Sequence, residues 1–211
     1  KVAPPGRQTV GPAGLPIGDC RVQLVSLYRH AAVSSFVPHG GKGERTMSAH
    51  RLHVAERLNA GLTLGVAGDR AHYLRNVLRL REGGDLRLFN SGDGEWAGRI
   101  VAVARHRIDV RLEQRLREPA DEPGPTLVFA PIRRNRLDWL IEKAVELGVA
   151  RLVPVLTARS VVRLDQVDRL RAIVVEAAEQ CERLSVPAVT EPEPLEQWLA
   201  RRPARPLLLA D

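Results

Sequence analysis

Three arginines, Arg133, Arg134 and Arg136, are crowded into the segment Pro131-Ile-Arg-Arg-Asn-Arg-Leu-Asp-Trp-Leu-Ile-Glu-Lys-Ala-Val-Glu-Leu-Gly148. A planar guanidinium matches phosphate oxygens in two-pronged geometry, and the start of a helix adds unpaired N–H donors beside it. The chemistry on offer is anion binding, with the backbone phosphate of a nucleic acid as the best match. The plainer alternative is a loop kept in solution by its arginines. Arg159, in Thr157-Ala-Arg-Ser160, repeats the polar and basic pattern. Further on, Glu176, Gln180 and Arg183 fall within about 60° of one another if the segment is helical. Such a line is either a surface ladder of ion pairs or an edge that touches a partner.

Both basic clusters follow short apolar runs, Leu127–Ala130 and Leu152–Leu156. In open α/β sheets the carboxyl ends of strands are where ligands bind, so the two clusters are expected to share one edge. Leu137, Leu140, Ile141, Ala144, Val145 and Leu147 recur at helical spacing, and Gly148 provides the stop. On another face of that helix Asp138, Glu142 and Glu146 repel one another unless basic groups compensate. A second helix is expected over Asp165–Leu184, with Val167, Leu170, Val174, Ala177, Cys181 and Leu184 as its apolar stripe. A third strand is expected at Leu207–Ala210. Apolar strands alternating with helices imply a parallel sheet.

The stretch Arg51–Glu118 reads differently, as short strands. Leu86 and Leu88 alternate within Asp85–Asn90, Ser91-Gly-Asp-Gly94 is turn chemistry, and Trp96–Ala104 and Ile108–Leu112 are β-rich. One helix interrupts this small barrel or sandwich, expected to be capped by Asp69 and ended by Gly83-Gly84, with Arg75, Arg79 and Arg81 on its polar side. The segment Pro119–Pro125 is a linker stiffened by prolines. The organisation expected is therefore a poorly ordered leader at 1–46, a barrel at 47–118, a linker at 119–125 and an α/β unit at 126–211. Met47, the lone methionine, suggests that 1–46 is an upstream extension; a basic, serine-containing targeting peptide is the competing account.

The chain has 211 residues, 44% of them hydrophobic, and a formal net charge of +7. Residues 1–46 carry six basic and two acidic side chains, residues 47–118 thirteen and nine, and residues 119–211 thirteen and fourteen. The surplus that would favour phosphate thus belongs to the first half. No apolar run approaches bilayer length, so no membrane partner is expected. Cys20 and Cys181 lie too far apart in unlike segments to suggest a disulfide framework, and Cys181 reads as a small core residue. There is no Gly-rich dinucleotide or P-loop fingerprint, no His-Glu-x-x-His zinc motif and no nucleophile elbow. His72 and His106 read as surface or barrel residues, and no metal site is expected.

Four ordered segments resemble the RsmE-type 16S rRNA uridine N3-methyltransferases, members of the SPOUT class. They are His72-Tyr-Leu-Arg-Asn-Val-Leu-Arg-Leu-Arg-Glu-Gly83, Leu137-Asp-Trp-Leu-Ile-Glu-Lys-Ala-Val-Glu-Leu-Gly-Val149, Thr157-Ala-Arg-Ser-Val161, and Glu176-Ala-Ala-Glu-Gln-Cys-Glu-Arg183 with Pro187. The second and fourth are the specific ones, and the resemblance runs from about Arg51 to Asp211. It implies a small PUA-like β-barrel that helps dock rRNA, followed by an incomplete α/β domain of the SPOUT, trefoil-knot type with a parallel sheet. It implies methyl transfer from S-adenosylmethionine to N3 of a uridine in 16S rRNA of the small ribosomal subunit, in the cytoplasm, by a protein that dimerises at full length. It also implies rRNA contact by Arg75, Arg79, Arg81, Arg133, Arg136, Arg159 and Arg183, with Glu179 and Gln180 ordering the site. No general base is assigned. Family members continue into a Gly-Pro-Glu-Gly-Gly type loop and a Leu-Gly...Arg...Glu-Thr type loop, which hold the cofactor. Neither occurs in this sequence, so this chain is expected to be truncated, to supply no cofactor-binding residues and to be inactive by itself. Arg133-Arg134-Asn135 also departs from the Lys, Gly and acid frequent there. A noncatalytic RNA-binding or ribosome-assembly protein is the alternative.

Overall fold

Period-two alternation in the first half produces one curled sheet, and the switch to helical spacing after it produces a second, parallel one. The computed structural model describes residues 50–158, 160, 167–202, 204 and 206–209. The leader at 1–46 and Arg159 therefore lie outside the described residues.

The first sheet contains β1 (His50–His53), β2 (Thr63–Ala67), β3 (Asp85–Asn90), β4 (Gly94–Val103) and β5 (Arg107–Arg117), in the order β1-β3-β4-β5-β2. Strands β1 and β3 run parallel; the other pairs are antiparallel. Irregularities between Glu95 and Trp96, Ala97 and Gly98, and Ile100 and Ala102 bend β4, as bulges do. The bent sheet curls round Leu52, Leu74, Leu86, Leu88, Trp96, Ile100, Ile108, Val110 and Leu112, all buried. Alternation sends Arg51, Arg87, Phe89, Glu95 and Arg117 to the opposite face. Water would normally cover such a face. Here the end of a helix from the second half does so, which is why Phe89 and Glu95 are both 0% exposed.

The helical insertion begins as expected but is differently capped and shorter. Gly68, at φ +66°, leads the chain into α1 (Gly68–His72), so Asp69 falls in the first turn and Ala67 occupies the cap position without a side-chain bond. The next turn, Tyr73–Val77, is π-helical. It closes with Leu78 N–H donating to the Tyr73 carbonyl at 3.1 Å and Leu80 N–H to the Leu74 carbonyl at 3.0 Å. The reversal between them falls on Arg79, at φ 54°. The helix thus ends before Gly83, because an arginine has taken the left-handed stop that glycine usually fills.

In the second half β6 (Thr126–Phe129) pairs parallel with β7 (Arg151–Leu156), and α2 (Arg134–Glu146) and α3 (Val167–Gln180) pack around Leu137, Ile141, Val145, Leu152, Leu170 and Val174. Asp138 is compensated by an ion pair with Arg169 of α3, and Glu146 by Lys143. The short strands β8 (Ala188–Val189) and β9 (Glu193–Pro194) both pair parallel with β7, and α4 (Leu195–Arg201) follows. That overturns the strand expected at Leu207–Ala210. Leu207, Leu208 and Leu209 form no strand and are 52%, 81% and 90% exposed. The partner of β7 on the side away from β6 comes earlier in the chain: Ala188 N–H bonds the Ala150 carbonyl at 3.2 Å and Thr190 N–H the Leu152 carbonyl at 3.1 Å. No helix among the described residues is long and apolar enough to cross a membrane.

Candidate nucleic-acid interface

The π-helical turn and the left-handed Arg79 determine where the first arginines go. Arg75, Asn76, Arg79, Arg81, Glu82 and Val103 line a shallow concavity of about 700 Å³ on the curled-sheet unit. Arg75 is held from behind: Nη1 donates to the Arg105 carbonyl at 3.1 Å and Nε to Asn76 Oδ1 at 3.1 Å. Glu82, the one acid in the lining, accepts from the Val103 N–H at 3.4 Å. The structure therefore brings Arg75, Arg79 and Arg81 together in one lining.

Arg133, Arg134 and Arg136 are exposed at the start of α2, after the carboxyl end of β6. The cap residue Arg133 makes no side-chain cap bond and the first turn holds no acid, so positive side chains and the positive helix end add. Asn135 Oδ1 accepts the Arg136 N–H at 2.9 Å. At the carboxyl end of β7 a tight turn joins Thr157 to Ser160, with Thr157 N–H donating to Ser160 Oγ at 2.9 Å and the two hydroxyls 3.1 Å apart.

Arg183 occupies a different place from the one its spacing suggested. Helix α3 ends at Gln180 and Glu182 turns left-handed at φ 59°, so Arg183 does not continue the line of Glu176 and Gln180. Its side chain, 11% exposed, donates to the Val145 and Val149 carbonyls, each at 2.9 Å, to Ser185 Oγ at 2.9 Å and to Glu122 at 3.3 Å. These bonds tie the end of α2 and the linker to the chain after α3. Gln180 is exposed as the last residue of α3.

Glu122 shows that the linker is docked. It accepts from the N–H groups of Leu184 and Ser185 and from the Ser185 hydroxyl, at 3.2, 3.0 and 2.6 Å. Burial pushes its carboxyl up, but the bonds from Ser185, Leu184 and Arg183 outweigh burial and leave it below the usual 4.5. A lowered folded-state pKa means stability that is present above the unfolded value and lost as pH falls through the folded one. Glu122→Gln is therefore expected to cost stability at pH 6, with the difference from wild type shrinking as pH falls below about 4.5. Urea midpoints across pH 3 to 6 check this; a difference independent of pH would contradict it.

Glu179 joins the two sheets. One oxygen, Oε1, accepts the His53 N–H at 2.9 Å and Arg70 Nη2 at 3.0 Å, linking α3 to β1 and α1. Burial pushes its carboxyl up against the opposing pull of these donors. Burial, helped by Arg70, lowers His53.

Beside it lies a network that sequence reasoning missed. Arg51 forks onto Glu95, Nε to Oε1 at 3.1 Å and Nη2 to Oε2 at 3.2 Å, with the two side chains 2% and 0% exposed. Arg87 and Arg117 reach the same carboxylate at 3.0 and 3.3 Å. The arginines then cap the carboxyl end of α3. Arg51 donates to the carbonyls of Ala178, Glu179 and Arg183, and Arg117 to that of Glu182 at 2.7 Å. Arg87 holds the Glu182 carboxyl below its ordinary value, and the Arg51 guanidinium lies 3.9 Å above the Phe89 ring. The signal available in sequence was weak. Three arginines and one acid share the face opposite the apolar one, an imbalance that only an acceptor from elsewhere resolves.

Among the described residues no group of His, Cys, Asp and Glu could hold a metal ion. The family models that match are an RNA methyltransferase PUA domain over residues 66–113 and an RNA methyltransferase domain over residues 121–211. Ribosomal RNA small subunit methyltransferase E of Rickettsia conorii is 32% identical over 156 residues, 74% of this chain and 64% of that protein. The chain belongs to the RsmE-type RNA methyltransferase family. The RsmE-type protein of Bacillus subtilis is 27% identical over 69% of this chain and 60% of its own length. The crystal structure of the Neisseria gonorrhoeae RsmE-type enzyme, bound to S-adenosyl methionine, superposes with a TM-score of 0.65 at 29% identity, covering 74% of this chain and 67% of that one. The fold is thus PUA-like β followed by SPOUT-type α/β, and the chain spans under two thirds of the length of the Rickettsia and Bacillus relatives.

Proposed function

We propose that this RsmE-type chain takes part in S-adenosylmethionine-dependent methylation of a uridine N3 in 16S rRNA of the small ribosomal subunit, in the cytoplasm. In this reading residues 47–118 dock the rRNA, 119–125 connect, and 126–211 begin a methyltransferase domain that pairs with a second copy. The observation that carries it is the concavity lined by Arg75, Arg79 and Arg81, in a chain whose relatives are named small subunit rRNA methyltransferases. Each guanidinium matches a phosphate of the rRNA backbone. Arg133 and Arg136, at the bare start of α2, are assigned to the same backbone, and so is Arg159. Glu179 orders the junction between the two units, with Gln180 beside it at the end of α3. Arg183 acts in this reading by fixing the linker, given its internal bonds.

The methyl donor is a sulfonium cation joined to an adenosine. The described carboxyl edge holds no partner for the sulfonium: Arg133 and Arg136 are cationic and suit only the donor's carboxylate, and Thr157 and Ser160 are bonded to each other. What these residues supply is anion binding. Accordingly, the 211-residue polypeptide is proposed to be inactive by itself.

Nucleoside mass spectrometry of 16S rRNA from cells lacking the encoding gene tests the reading. We expect 3-methyluridine to disappear from 16S rRNA and to return when the gene is restored. Unchanged 3-methyluridine with a defect in subunit assembly would instead favour a noncatalytic assembly protein.

A further inference from the structure

We propose that the π-helical turn Tyr73–Val77 is a stacking platform for one unpaired base of the RNA whose phosphates Arg75, Arg79 and Arg81 bind; the proposal rests on the rRNA-docking reading. The same turn that delivers Arg75 and Asn76 to the concavity leaves Tyr73 51% and Val77 60% exposed. Standing four apart, they share a face of the turn, and Val77 adjoins Asn76 in the chain. Of the other aromatic side chains, Phe89, Trp96 and Phe129 are buried, while Trp139, 63% exposed, stands on α2, apart from the residues that line the concavity. An aromatic ring left in water on the same turn that carries an arginine to a basic groove is an arrangement suited to single-stranded nucleic acid, with the groove for the backbone and the aromatic face for a base.

The backbone beneath this platform is unusual and firmly held. A π-helical turn and a left-handed arginine occur together, and both features gather at functional sites. Leu74, 2% exposed, anchors the turn in the core, and Arg75 is tied to the Arg105 carbonyl at 3.1 Å. Tyr73 therefore leaves a backbone already fixed, and less ordering remains to be done on binding. A base inside a duplex cannot reach the ring, so the ligand is a single strand or a loop.

The test is fluorescence anisotropy with a labelled single-stranded oligomer of 16S rRNA sequence and with the same oligomer annealed to its complement. Tyr73→Ala is expected to weaken single-strand binding by roughly 5- to 100-fold, with Tyr73→Phe close to wild type. The salt dependence and the duplex affinity should not change, since every arginine that meets a phosphate is still in place. The platform is overturned if Tyr73→Ala binds the single strand as wild type does, or loses affinity for strand and duplex alike. If Tyr73→Ala has no effect while substitutions at Arg75, Arg79 and Arg81 weaken binding, the platform alone falls. If neither has an effect, the rRNA-docking reading falls with it.

Discussion

Glu95→Ala is expected to destabilise the protein by about 3 to 5 kcal/mol, the usual cost of removing one partner from a buried ion pair. A buried pair as a whole contributes little net stability, so the cost comes from the charge left behind. Arg51 would stay 2% exposed with its main counter-ion gone. Arg87 and Arg117, 26% and 42% exposed, can turn towards water, so the cost falls on Arg51. Its bonds to the Ala178, Glu179 and Arg183 carbonyls offset part of that cost, because the carboxyl end of a helix is itself negative. Glu95→Gln, which keeps an acceptor but drops the charge, should lose less. Urea unfolding with the slope fixed by wild type measures both. A shift under about 1 kcal/mol for Glu95→Ala would mean that Arg51 is solvated and the junction looser than its bond lengths indicate.

Local pattern carried much of the fold. Leu86 and Leu88 alternate into the core as their spacing requires, the stripe from Leu137 to Val145 packs against β7, and the order of β6, α2, β7 and α3 follows the change of period. What was not legible depends on distant partners. The acceptors of Arg51 are Glu95, 44 positions away, and Ala178, 127 away, so nothing near Arg51 marks it as buried. Arg183 kept helical spacing with Glu176 on paper, but a non-glycine residue, Glu182, ends the run in a conformation side chains seldom adopt. Arg79 hid the end of the earlier helix in the same way. The run Leu207–Leu209 is apolar enough for a strand, yet a strand also needs a neighbour to pair with, which composition does not name, and the partners of β7 come from β6, β8 and β9 instead. The site divided along the same line. Arg75, Arg79 and Arg81 lie within one short motif, so their grouping in one concavity was legible; the junction that orients their sheet against α3 is assembled from four separate strands and was not.

The salt dependence of 16S rRNA binding tests docking through Arg75, Arg79 and Arg81 most directly. Each phosphate that an arginine neutralises releases counterions, so the slope of log K against log salt reports how many phosphates are held. The variant to compare combines Arg75→Ala, Arg79→Gly and Arg81→Ala, with glycine at 79 because φ there is 54°. It should fold as wild type does, and glycine relieves a strained position. The expected slope is shallower by about 0.7 to 0.9 for each phosphate no longer held, up to roughly 2 to 3 in all, with affinity at least about tenfold lower near 0.1 M salt. A folded variant with the wild-type slope and affinity would contradict the assignment and leave these arginines as a solvated surface.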